Sequence, residues 1–494
     1  MIRFYNGRGL ALKNGLEITD DEVWVEGSEI CFVGKGFNKR ADREINLDGK
    51  LIMPAFKNAH THSAMTFARS LADDLPLQPW LFDMIFPLEA KLLPNDIYTL
   101  SQLAFLEYLT SGISSCFDMY YFPENMAKAS QDFGFRTVMT SGLNNFKENI
   151  PLLEEYYKKY NSYGDLVSYK LGFHAEYTTS VELMKGIAGL AEKYEAPVFM
   201  HSSETESEVK ECLERHGKTP TLLFDELGLF NYGGGAFHSV WLTDEDMEIY
   251  KNRGVYAVLN SGSNAKLASG TAPVIKMAEK GIRLAIGTDG PSSNNALDMF
   301  REMHLTAALQ KLSQNDASAC DANEIIKWAT VGSAHCMGLY DCDIIDTGKK
   351  ADLTVINLNR PNMQPINNIV KNLVYSGSKE NVYMTVVNGK ILYENGEFPQ
   401  ADAEKIYYEA QKITDRLKGK KNGQLIFELP VILFIVRKRF AFAKLFVDKN
   451  QGLNLLRLFL LRHTDKAHRK HAAGFCRMPP YHNLQAHILR PYPA

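Results

Sequence analysis

Leu51-Ile52-Met53-Pro54-Ala55-Phe56-Lys57-Asn58-Ala59-His60-Thr61-His62 is the stretch that decides the fold. An apolar run ends in two histidines one residue apart. On an extended strand, residues i and i+2 point to the same face. His60 and His62 can therefore aim two imidazoles at one point, and imidazole suits zinc, iron and nickel. Two close histidines also occur as plain surface or core pairs, so the weight rests on what the rest of the chain brings beside them.

Downstream, from about 54 to 340, short β-branched runs alternate with amphipathic helical stretches such as Val181–Tyr194 and Glu204–His216. Eight strands are expected: Leu51–Ala59, Ile113–Phe117, Thr137–Thr140, Ser168–Phe173, Pro197–Met200, Gly235–Phe237, Val255–Leu259 and Arg283–Ile286. Eight βα units argue for a closed (β/α)8 TIM-like barrel rather than an open doubly wound sheet. No GxGxxG follows the first strand, which counts against a dinucleotide fold. Chemistry in such a barrel sits at the C-terminal strand ends. His60 and His62 close strand 1, His174 strand 4, His201 strand 5, His238 strand 6 and Asp289 strand 8. Each has an ordinary structural reading alone; five histidines and an aspartate at one barrel mouth do not. His216, His304 and His335 fall on expected helices and are read as structural or surface residues. Asp118, after strand 2, is read as structural.

The flanks differ from the barrel. Val23–Gly27 and Ile30–Gly34 read as strands, and the same texture returns in Ala351–Ile356 and Val382–Ile391. Asn388-Gly389 between β-rich runs signals a hairpin. Residues 1–53 and 341–415 are thus expected to form one small β-sandwich domain, split by the barrel 54–340. Residues 424–494 look foreign, with 12 Lys and Arg against 3 Asp and Glu and five of the 13 histidines. They read as a basic membrane-surface segment or, preferred on composition, as an extension outside the fold.

Composition bounds the function. The 494 residues are 45% hydrophobic and 23% charged, those of a soluble globular protein, and a net charge of −3 argues against a nucleic-acid binder. The seven cysteines are scattered and form no CxxC, which suggests reduced thiols and a cytoplasmic home. No secretory leader or apolar spanning segment is read, so no membrane partner is expected; a homo-oligomer is left open.

Several motifs together resemble the amidohydrolase superfamily, in its branch of 5-methylthioadenosine/S-adenosylhomocysteine deaminases. They are Asn58-Ala59-His60-Thr61-His62-Ser63-Ala64-Met65, Ala72-Asp73-Asp74-Leu75-Pro76-Leu77-Gln78-Pro79-Trp80-Leu81, and Phe86-Pro87-Leu88-Glu89. Glu211-Cys212-Leu213-Glu214-Arg215-His216-Gly217-Lys218, Ser263-Asn264-Ala265-Lys266-Leu267-Ala268-Ser269-Gly270, and Gly287-Thr288-Asp289-Gly290 complete them. The similarity spans roughly residues 1–415.

The resemblance implies one zinc per chain, or Fe2+ or another divalent metal, held by His60, His62, His201 and Asp289 with a water. Bound metal brings the pKa of water toward neutrality. Asp289 would take the water's proton, His238 would orient the nucleophile, and Glu204 would protonate a purine ring nitrogen. Glu89 and His174 match substrate contacts to a ribose. Lys170 lies too deep in strand 4 to bridge two metals. The implied activity is deamination of adenosine-type nucleosides. Guanine- or triazine-type hydrolysis and a catalytically silent binder are the alternatives. Two departures stand out. Ser141–Glu148 carries no arginine, where relatives that bind S-adenosylhomocysteine carry them, leaving Lys147 as a substitute. Asn260-Ser261-Gly262-Ser263 lacks a usual proline.

Overall fold

The chain changes partners at Ala55. The computed structural model describes residues 1–13 and 15–419, and in it the single strand expected over Leu51–Ala59 is two, Lys50–Pro54 and Phe56–Thr61. The Ala55 N–H donates to the Asp352 carbonyl at 3.0 Å, whereas the next N–H, of Phe56, donates to Gly112 at 3.0 Å. Pro54 lacks a donor, so the ladder can be handed from one sheet to another there at little cost. The periodicity of the side chains runs on across this break, which is why the sequence does not reveal it.

Phe56–Thr61 opens a parallel eight-stranded sheet whose order follows the chain. The other strands are Ile113–Met119, Arg136–Thr140, Val167–Gly172, Val198–Ser202, Gly234–His238, Val255–Leu259 and Arg283–Ile286. Apart from the first, which begins at Phe56 rather than Leu51, all coincide with the expected runs to within two residues. The seam between the eighth and first strands is closed by hydrogen bonds from side chains and backbone. Thr288 N–H donates to Asn58 Oδ1 at 2.8 Å, Asn58 Nδ2 donates to Thr288 Oγ1 at 2.7 Å, and Asp289 N–H donates to the His60 carbonyl at 3.0 Å. Gly287 permits this approach, since a Cβ there would lie 2.6 Å from the His60 nitrogen. Ala59, Phe117, Val138, Phe199, Phe237, Val258 and Ala285 form a buried cluster across the strands, with Cys336 and Met337 packed into it.

The two ends of the described chain build two further sheets. Ile2–Tyr5, Glu22–Glu26, Glu29–Gly34 and Arg43–Asn46 form one. In the other, Leu353–Asn357 and Val382–Val387 extend Lys50–Pro54 antiparallel, with Leu353 opposite Pro54. Phe4, Val23, Val25, Ile52, Val355 and Met384 bury a shared core, giving the expected β-sandwich. Asn388-Gly389 is the two-residue turn of a hairpin, both residues at positive φ. Asp352 ties the sandwich to the barrel floor. It accepts Arg136 Nε at 2.9 Å and the Asn388 N–H at 2.8 Å, with Lys57 Nζ 4.0 Å away; Asp352, Arg136 and Lys57 are all buried. The expectation for residues 424–494 lies outside the described residues. No helix among the described residues is long and apolar enough to cross a membrane.

Candidate active site

At the mouth of the barrel the strand ends bring together the residues singled out above. His60 Nε2 and His62 Nε2 lie 3.5 and 3.3 Å from Asp289 Oδ1, and His201 Nε2 lies 3.3 Å from His62 Nε2. Each imidazole but one is oriented from behind. His62 Nδ1–H donates to the Met119 carbonyl at 2.7 Å, and His201 Nδ1–H donates to the His174 carbonyl at 2.7 Å. His238 Nδ1–H donates to Asn264 Oδ1 at 2.7 Å. With Nδ1 protonated, each Nε2 presents a lone pair toward the centre. His60 is fully buried, and neither ring nitrogen has a hydrogen-bond partner. Burial holds His60 down at about 3 and His201 well below the ordinary histidine range, so both stay neutral. Burial alone would raise Asp289, but His60 and His62 beside it keep the carboxylate ionised, well below its usual range.

Lone pairs converging on one point repel unless a proton or a metal cation lies among them. Ligands held tetrahedrally at about 2.1 Å stand roughly 3.4 Å apart, which matches the separations found. His60, His62 and His201 form one group able to hold a metal, and His60, His238 and Asp289 another, sharing His60. The donor set therefore suits a divalent metal. Asp289 is further fixed by Ser263 Oγ and Ser293 Oγ, which donate to Oδ2 at 2.5 and 2.7 Å.

Beyond these groups lies a cavity of about 620 Å³ including its open mouth, with Glu204, His238 and Asp289 in its lining. Glu204 Oε2 is 3.7 Å from His238 Nε2, and burial raises the Glu204 carboxyl. Glu204 is not helical; the helix expected from Glu204 starts at Glu206, capped by Thr205. Ser203, His238, Ser239 and Asp289 all adopt positive φ. That is uncommon for residues other than glycine and marks where strands break away to aim side chains inward. Elsewhere in the wall, Glu89 accepts the Tyr120 hydroxyl at 2.6 Å, and His174 Nδ1 shares a hydrogen bond with Thr178 Oγ1 at 2.8 Å.

The amidohydrolase family model matches residues 51–392. The chain belongs to the amidohydrolase family. It is 40% identical over 405 residues to the 5-methylthioadenosine/S-adenosylhomocysteine deaminase of Caldanaerobacter subterraneus subsp. tengcongensis, covering 80% of this chain and 93% of that protein. It is 36% identical to the 5'-deoxyadenosine deaminase of Methanosarcina mazei, covering 82% of this chain and 96% of that protein. The crystal structure of an adenosine deaminase from Xanthomonas campestris with bound zinc superposes with a TM-score of 0.81 at 30% identity, covering 85% of this chain and 98% of that one. As an amidohydrolase the chain is a hydrolytic enzyme acting on C–N bonds.

Of the residues proposed from the sequence, His62, Glu89, His174, His201, Glu204, His238 and Asp289 line this cavity, His60 lies buried beside it, and Lys147 sits against Tyr121 in its wall without lining it. Lys170 lines a separate cleft with Arg136, Asp165 and Gly338. His216 and His335 pair with Glu176 and Asp343, and His304 is exposed on a helix. Trp80 and Asn264 stand within the quoted motifs without an assigned role, and Tyr120 and Ser293 were not singled out from the sequence; the buried Trp80 indole N–H lacks a partner in the cavity wall. An uncharged residue that orients another leaves no periodicity or charge signal to read.

Proposed function

We propose that this amidohydrolase deaminates adenosine-type nucleosides, among them 5-methylthioadenosine, adenosine and S-adenosylhomocysteine, in the cytoplasm. The reading is carried by one arrangement: three histidines and an ionised aspartate converge beside a buried glutamate, with a second buried glutamate in the wall of the same aromatic-lined cavity. The relatives named as methylthioadenosine and deoxyadenosine deaminases support it. His60, His62, His201 and Asp289 would hold a single zinc. When bound, such a cation acts as a Lewis acid that makes water nucleophilic near neutral pH.

The protein's own groups account for the rest. Asp289 accepts a proton from the attacking water. His238, with Nδ1–H committed to Asn264, offers Nε2 to orient that water. Glu204, raised by burial, carries a proton at neutral pH more readily than an exposed glutamate and delivers it to the purine ring nitrogen next to C6. The water oxygen bonds to C6, the C6–N bond breaks, and ammonia departs with the water's second proton, leaving the inosine product. Glu89 and His174 bind the ribose, and the free Trp80 N–H offers a donor to the same part of the substrate.

The test is metal analysis together with an ammonia-release screen over adenosine, 5-methylthioadenosine, S-adenosylhomocysteine, adenine and guanine. Nucleoside turnover with one metal per chain supports the reading. A preference for a free base overturns the ribose assignment, and binding without turnover would make the protein a silent relative.

A further inference from the structure

Thr205-Glu206-Ser207-Glu208 has the spacing of a helix capping box, in which the acid at the third helical position returns to the N-cap amide. Thr205 plays its part, its hydroxyl accepting the Glu208 N–H at 3.2 Å. Glu208 does not. Its carboxylate passes the cap and takes the two amides before it, Ser203 N–H at 2.9 Å and Glu204 N–H at 2.7 Å. Those amides belong to the turn where Ser203 sits at φ 54°, beyond the end of the strand ladder. The Ser203 carbonyl is meanwhile claimed by Val240 and Trp241 N–H at 3.0 and 2.9 Å. Glu208 is 3% exposed and Glu204 4%. Two acids buried side by side disfavour each other's charge, so a cap alone does not account for this choice.

We propose that Glu208 is a positioning residue for catalysis: by gripping the Ser203 and Glu204 amides it fixes the turn that aims the Glu204 carboxyl at the substrate. The inference rests on the reading of Glu204 as the proton carrier. Burial, with Glu204 close by, pushes Glu208 up to about 7, in keeping with a carboxyl placed where its charge is not favoured.

The test is a double-mutant cycle on the metal-loaded enzyme, with ammonia release from adenosine and 5-methylthioadenosine followed for Glu208→Gln, Glu204→Gln and the pair. Metal content and melting temperature are recorded for each. Glu208→Gln should lower kcat about 10- to 100-fold, the scale of a small misplacement of a reacting group, with KM and metal content little changed. The double variant should be no slower than Glu204→Gln alone, because a residue acting only through Glu204 has nothing left to position. Losses that multiply, or wild-type kcat in Glu208→Gln, overturn the proposal. Wild-type turnover in Glu204→Gln instead removes the reading of Glu204 as proton carrier, and the proposal with it. If Glu208→Gln does not fold, Glu208→Asp, one methylene shorter, takes its place and must show the same non-additivity.

Discussion

His60 shows how one side chain can require a partner the protein does not itself supply. Both its nitrogens are buried without hydrogen bonds, and an unmet buried polar group costs about 1–3 kcal/mol. The expected outcome is one divalent metal per chain by elemental analysis. His60→Ala should lose most of it, with kcat falling by about 100-fold or more, judged from the 10–100-fold cost of weakening even the residues that support ligands. Two metals per chain, or full occupancy in the variant, would refute this. Lys147 sets a second expectation. Its ammonium lies 3.7 Å from the centre of the Tyr121 ring, which lines the cavity. A lysine is a point charge and cannot fork onto a carboxylate as arginine does. So kcat/KM for 5-methylthioadenosine and adenosine should equal or exceed that for S-adenosylhomocysteine; a strong preference for the last would show a better carboxylate anchor than Lys147. Glu302 bears on stability. It is fully buried, accepts Gly262 N–H at 2.9 Å and Asn294 Nδ2 at 2.7 Å, and burial raises its carboxyl from 4.5 to about 7. Between those values the folded protein holds a proton that the unfolded chain has released, so stability falls as pH rises through that window. Glu302→Gln, which cannot ionise, should gain on the wild type in paired melts at pH 8 relative to pH 5. A gap that does not change with pH would count against it. The metal-site histidines were readable because a strand-end histidine carries its signal in its own position. The roles of Ser293 and Asn264 were not, because they exist only relative to Asp289 and His238 in space.

Among the elements, the segment after the first barrel strand does most to shape the cavity. Leu77, Trp80, Leu81, Phe86 and Glu89 all contribute to its wall. The segment is tied to the end of the helix Ser261–Lys266 and to the loop at Asn295. Lys266 Nζ donates to Asp73 Oδ1 at 2.6 Å and to Asn295 Oδ1 at 3.1 Å, while Asn295 Nδ2 donates to Asp73 Oδ2 at 2.8 Å. Two of the motifs quoted from the sequence are thus joined through a third loop. Lys266→Met should loosen this tie, with KM for nucleosides rising about three- to tenfold, worth roughly 1 kcal/mol, and faster limited proteolysis between residues 69 and 82. An unchanged KM and digestion pattern would show the tie to be ornamental. Strands and helices were legible at this scale because hydrophobic periodicity survives in each. The break at Ala55 and the late start of the helix at Glu206 were not, since both depend on where a single backbone N–H finds its acceptor.

For the molecule as a whole, the alternating pattern over 54 to 340 and the matching β texture at both ends were enough to expect a barrel with a composite sandwich. The order of the sandwich strands was beyond reach, because pairing between distant segments has no local signature. The residues of the site lie between His60 and Asp289, and alignment to relatives spans 93–100% of their length while covering about 80% of this chain. Removing residues 424–494 should therefore leave kcat and metal content intact. Loss of either would show that the segment takes part in the fold or the chemistry. The pairing of Lys50–Pro54 with Leu353–Asn357 also has a consequence in time. During synthesis the early strands leave the ribosome long before their partners exist, some 300 residues later. Until then the Lys50–Pro54 edge is bare and Asp352 is not there to meet Arg136. A nascent chain in that state exposes an unpaired edge and a buried-to-be cation, both prone to wrong partners. The sandwich can close only after the whole barrel has been made, so the strands translated ahead of the barrel are among the last to reach their final place.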